Sequence, residues 1–129
     1  MKDKVILDDW FKRAKSNLLR ARSGRNSDEI LYEDLCLDCQ QAIEKSLKGL
    51  LFSIDIDFPW THSIARLFEL LKEAGIIVPE EFNKAVDLTV YAQGTRYPGT
   101  QEPVTEEEYK EALMLAEEIY FWAREKAYF

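Results

Sequence analysis

The chain has 129 residues, 47% of them hydrophobic and 32% charged, with a formal net charge of −7 and a pI near 4.8. A chain of this length and composition can bury its own core and is not disordered, and no apolar run approaches the roughly 20 residues that span a bilayer. The acidity excludes a general nucleic-acid binder, which needs a basic face against phosphates, and the opening MKDKVILDDW lacks the apolar stretch of a signal peptide, which points to a cytoplasmic protein.

Charge is uneven along the chain. Residues 1–26 hold eight Lys/Arg against three Asp, and residues 27–129 hold nine against twenty-one Asp/Glu. A solvated basic face balanced by acidic neighbours is the simpler reading; an anionic ligand or acidic partner is the other.

Apolar residues at Leu7, Trp10, Phe11, Ala14, Leu18 and Ala21 recur at spacings of three and four and predict a first helix, with Asp8 and Asp9 near its positive end. RSGRNSD then reads as a loop. A second helix is expected from about Asp28 to Ser53, with Tyr32, Leu35, Cys36, Cys39, Ala42, Ile43, Leu47 and Leu50 buried and Glu33, Asp34, Asp38, Glu44, Lys45 and Lys48 wet. IDIDFPWT is a connection whose apolar residues fold back on the bundle. Thr61 is the expected N-cap of a third helix carrying Ile64, Leu67, Phe68, Leu71 and Ala74 inward, closed by Gly75. VPEEF opens a fourth helix with Phe82, Ala85, Val86 and Thr89 inward, ending at Gly94.

TRYPGTQEPV is a loop, and Thr105 with Glu108 forms a capping box for the last helix. That helix has one stripe through Tyr109, Ala112, Leu113, Ala116, Tyr120, Ala123 and Ala127, and a second line through Met114, Leu115, Phe121 and Trp122. The second line lies either inside the monomer or at a dimer contact. The pattern predicts an all-α antiparallel bundle of about five helices, four main and one short, forming a single domain over residues 1–129.

Cys36 and Cys39 form a CxxC in mid-helix. A zinc site needs four ligands, and only His62 could add to two thiolates, so the pair reads as core packing and no metal or cofactor is implied. His62, the one histidine, should be neutral near pH 7 at a helix start, and no second acid is placed beside it by sequence. The carboxylate runs Glu80–Glu81 and Glu106–Glu108 lie in first helical turns, where the dipole explains them. No catalytic residue is therefore assigned. Arg96, flanked by Thr95 and Tyr97, presents five donors beside an aromatic ring, a combination suited to phosphate or a nucleobase, or to one of the many nearby acids.

Taken together, CQQAIEKSLKGLL on the second helix, the TH before the third and TRYPG before the last resemble the HEPN family, with Trp10 and Ala14 fitting as well. The resemblance covers nearly the whole chain. It implies four main helices plus a short one, a homodimer, and nucleotide binding in a cleft between helices, the role behind the family's name. It also implies a small, separately encoded nucleotidyltransferase as partner, in pairs that often behave as toxin and antitoxin. RNase members carry an Arg followed after four to six residues by a His. Arg96 matches the Arg, but the positions for the His are Gln101, Glu102 and Pro103, none of which titrates near pH 7. The likeness is to members with RYP, for which a binding role is implied and independent catalysis is not. On that reading Arg96, Tyr97, Lys45, Gln41 and His62 are the ligand-binding candidates. The alternatives are a degenerate metal-independent RNase toxin using Arg96 and His62, and a purely structural dimeric interaction protein.

Overall fold

A computed structural model describes residues 3–92 and 102–129. These form α1 (Lys4–Arg22), α2 (Tyr32–Ser53), α3 (Ile64–Glu73), a 3-10 helix (Glu80–Ala92) and α4 (Glu106–Ala127), with no strand among the described residues. No helix among them is long and apolar enough to cross a membrane. The predicted all-α bundle is present.

Cross-contacts give the directions. Along α1, Phe11 meets Gly49, Asn17 meets Gln41 and Arg20 meets Asp38, so α2 runs antiparallel to α1. Tyr109 donates to the Ala21 carbonyl while Phe11 packs on Tyr120 and Tyr128, so α4 is antiparallel to α1 as well. α2 and α4 therefore run the same way, with Tyr32 stacked on Tyr109 at one end, and the chain between them crosses back through α3 and the 3-10 helix.

α2 is the axis of the fold and packs against α1, α3, the 3-10 helix and α4. Leu35, Cys36, Cys39, Ala42, Ile43, Leu47 and Leu50 are buried as the periodicity requires. Being surrounded, α2 has less wet surface than a one-sided amphipathic helix. Asp38, Glu44 and Lys48, expected on its solvent face, are buried, as are Gln40 and Ser46. Gly49 is needed where α1 crosses: a Cβ there would lie 2.8 Å from the Phe11 ring.

Several boundaries differ from the sequence reading for identifiable reasons. The acid at the α1 N-terminus is Asp3, whose Oδ1 accepts from Val5 N at 2.9 Å; Asp8 and Asp9 lie further in and hold Tyr128 and Arg13. α2 starts at Tyr32 rather than Asp28. Ser63, not Thr61, caps α3, its Oγ accepting from Arg66 N, while Thr61 accepts from Ser63 N just before the helix. Gly75 closes α3 at φ +89°, and Ala74, expected inward, is exposed. The fourth helix is 3-10, and its three-residue repeat lines up Phe82, Ala85, Leu88 and Tyr91. Val86 still packs on the core and Thr89 accepts from Ile64 N at 3.2 Å, both half-buried as expected inward residues, and Leu88 is the buried residue the α-helical period does not select. Its expected end at Gly94 lies outside the described residues. The Thr105–Glu108 capping box is present in both halves. The second apolar line of the last helix divides. Leu115 is buried and Trp122 packs edge-on against Phe82, while Met114 and Phe121 are 52% and 53% exposed.

Candidate functional site

The five candidates do not form one cluster among the described residues. Arg96 and Tyr97 lie outside them. Gln41 and Lys45 stand one turn apart on the side of α2 that faces α1. Asn17 of α1 sits between them, donating to Gln41 Oε1 at 3.1 Å and to Asp38 Oδ1 at 3.2 Å and accepting from Lys45 Nζ at 2.6 Å. Arg20 closes the seam on Asp38 at 3.5 Å. Burial lowers the Lys45 pKa; Glu44 and Asp38 oppose that shift, and Arg13 and Arg20 add to it. Each residue of this seam has an intramolecular partner, as an interface between two packed helices requires. Three more basic residues of α1 are similarly engaged: Arg13 with Asp9, Arg22 with Glu117 and Lys15 over the Tyr120 ring. The balanced-face reading of the basic N-terminal segment holds for these residues.

His62 belongs to a different constellation, centred on Glu44. The Glu44 carboxylate is 7% exposed and takes three donors: Lys48 Nζ at 2.8 Å on Oε2, and His62 Nδ1 at 2.9 Å and Gln40 Nε2 at 3.0 Å on Oε1. Burial alone would push this carboxyl up, but the hydrogen bonds from Lys48, His62 and Gln40 outweigh it and hold the carboxyl below its ordinary value. An ionised Glu44 offers only acceptors, so the proton of a neutral His62 sits on Nδ1 and the lone pair on Nε2. With its side chain 55% exposed, the imidazole is anchored at one nitrogen and open at the other. Gln40 also reaches the His62 carbonyl at 3.4 Å, and its own Oε1 is a buried acceptor without a partner.

The second acid that sequence reasoning did not find for His62 is thus Glu44, 18 residues earlier and one layer inward. The usable signal is the α2 spacing Gln40–Glu44–Lys48, a line of polar residues at intervals of four pointing at the start of α3. Cys36 and Cys39 are buried and not disulfide-bonded, and burial pushes the Cys39 thiol up, which suits packing and not redox chemistry. No group of three or more potential metal ligands occurs among the described residues.

A groove of about 520 Å³ runs between the 3-10 helix and α4, lined in part by Leu88, Tyr91, Ala112 and Leu115. Its size falls in the range of roughly 300–1,000 Å³ typical of small-ligand clefts. Tyr91 on its rim precedes Arg96 by five residues in the chain.

A bundle built on a buried α2, with the QQAIEKSLKGLL face and the TH turn packed together, is the architecture that the sequence motifs implied. The HEPN domain profile matches residues 7–126, and the chain belongs to the HEPN family. Two solved structures are similar over almost their full lengths. TT1696 from Thermus thermophilus is 33% identical with a TM-score of 0.75, covering 93% of this chain and 97% of its own. ST0689, described as an archaeal HEPN homologue, is 27% identical with a TM-score of 0.71, covering 94% of this chain and 97% of its own. No curated protein matches the sequence significantly.

Proposed function

We propose that this HEPN domain is a nucleotide-binding and partner-docking module, acting as a homodimer with a separately encoded small nucleotidyltransferase in a two-protein, toxin–antitoxin-like system. The observation that carries the reading is the TRYPGTQEPV segment, in which Arg96 is followed by Gln101, Glu102 and Pro103 and by no histidine. An arginine without an acid–base partner can bind phosphate but cannot relay a proton near pH 7. In this reading Arg96 holds phosphate and Tyr97 shapes the cleft or stacks against the ligand. Gln41 and Lys45 keep the α1–α2 seam in register, and the partner supplies the chemistry. Two measurements test it. Purification of the tagged chain from its native cells should bring down a stoichiometric small nucleotidyltransferase. Saturating nucleotide should raise the melting temperature of wild type but not of Arg96→Ala, since a ligand at a hundredfold excess over Kd contributes about 2.7 kcal/mol. Equal stabilisation of both proteins removes Arg96 from the site, and no stabilisation of either removes the nucleotide.

The Glu44–His62 pair supports a second reading, a metal-independent RNase. A carboxylate-anchored imidazole with an open Nε2 is a competent general base. RNA cleavage in the presence of chelator, abolished in His62→Ala, is its signature; cleavage that persists in that variant rules it out.

A further inference from the structure

The loop between α2 and α3 exposes an aromatic ring that the reading above does not use. Ile54, Ile56 and Phe58 turn inward against the core, while Trp60 is 95% exposed. An indole in that position gains almost nothing from burial, so its stabilising value to the monomer is slight. Its surroundings are nonetheless built. The buried Lys48 ammonium lies 5.9 Å from the Trp60 ring and 5.8 Å from the Phe58 ring, and Phe58 meets Trp10 edge-on at 5.8 Å. Lys48 is in turn fixed by Glu44, the same carboxylate that fixes His62 two residues beyond Trp60. One buried ion pair therefore sets both an open aromatic face and an open Nε2.

We propose that Trp60 and His62 form a base-binding subsite for a purine nucleotide, the base stacking on the indole and one of its N–H groups donating to His62 Nε2. This rests on the nucleotide reading above and names where the base goes. Stacking on an exposed aromatic ring is available to any base and is strongest for the larger purine surface. Because Glu44 holds the Nδ1 proton, neutral His62 presents an acceptor, the complement of an exocyclic amine or a ring N–H. Glu44 and Lys48 neutralise each other, so the subsite carries no surplus positive charge for phosphate, which the reading leaves to Arg96.

The variants that separate this from a structural role follow from the geometry. Asparagine places its amide nitrogen where Nδ1 stood, so His62→Asn keeps a donor to Glu44 and deletes Nε2. Trp60→Ala removes a side chain that buries almost nothing. AMP and adenosine are titrated calorimetrically into wild type, Trp60→Ala, His62→Asn and Arg96→Ala, with thermal melts as the check on folding. Trp60→Ala and His62→Asn are each expected to weaken AMP and adenosine at least tenfold with melting unchanged, and Arg96→Ala to weaken AMP alone. Wild-type affinity in Trp60→Ala and His62→Asn, alongside a loss in Arg96→Ala, overturns the subsite and leaves nucleotide binding standing. Absence of AMP and adenosine binding to wild type overturns both. Should His62→Asn melt early, Trp60→Ala decides.

Discussion

The two polar faces of α2 look alike in sequence and differ in what they leave open. Toward α1, Asn17, Asp38, Gln41, Lys45 and Arg20 satisfy one another across the helix pair. Toward the α2–α3 loop, Gln40, Glu44 and Lys48 are buried, yet their bonds end on an imidazole that is half in solvent, two residues past an exposed indole. A closed polar seam fixes the register of two helices. A buried pair that orients exposed groups costs desolvation and returns a presented surface, which is the more informative of the two for function.

Perturbing each face should separate these roles. The largest effect is expected for Glu44→Ala, which leaves Lys48 buried without its counter-ion and should cost about 3–5 kcal/mol in urea unfolding. A cost under about 1 kcal/mol, the range of an exposed pair, would mean that Lys48 escapes to water and that the cluster is looser than described. Asn17→Ala should cost about 1–3 kcal/mol by stranding the Gln41 and Lys45 groups, while nucleotide affinity stays at the wild-type value. A loss of affinity there would return Gln41 and Lys45 to the ligand site.

The pH dependence of stability distinguishes the faces further. The folded pKa of Glu44 lies below its unfolded value of 4.5, so its contribution is complete above that value and is lost as pH falls through the folded pKa. Lys45 has a folded pKa below 10.5, so the unfolded chain holds its proton longer and stability from this group rises as pH climbs toward 10.5. Acid unfolding curves of wild type and Glu44→Gln should converge at low pH, and curves that stay parallel would place the acid sensitivity elsewhere. The smallest effect belongs to the hinge between α2 and the loop. Asp55 sits at φ +65° just past the helix C-cap, a conformation that glycine adopts freely. Asp55→Gly should raise stability by about 0.5–1 kcal/mol, and a decrease would show that the carboxylate contributes more than the backbone costs.

Much of the fold was legible because helix stripes and caps are local. The α2 and α4 core residues, the Thr105–Glu108 box and Gly75 all follow from spacing within one element. What escaped is what depends on neighbours. Whether Glu44 is wet depends on how many elements surround α2, and no period within α2 reports that. Trp122 and Phe121 are adjacent in sequence, yet one meets Phe82 and the other faces out. The 3-10 geometry of Glu80–Ala92 likewise brings Leu88 into the core, which an α-helical period does not select. For the site, the candidacy of His62 was readable, while its anchor was not, because Glu44 reaches it only through the packing of α3 on α2.

The most direct test is a titration of the isotopically labelled chain with AMP, following the three indole N–H signals by NMR. The Trp60 signal, assigned through Trp60→Phe, should shift saturably with the amides of residues 60–63, while Trp10, Trp122 and the Asn17–Lys45 seam stay in place. Saturable shifts confined to that seam, or no shifts at all at millimolar AMP, would contradict the assignment of the open face of α2 as the one that meets the ligand.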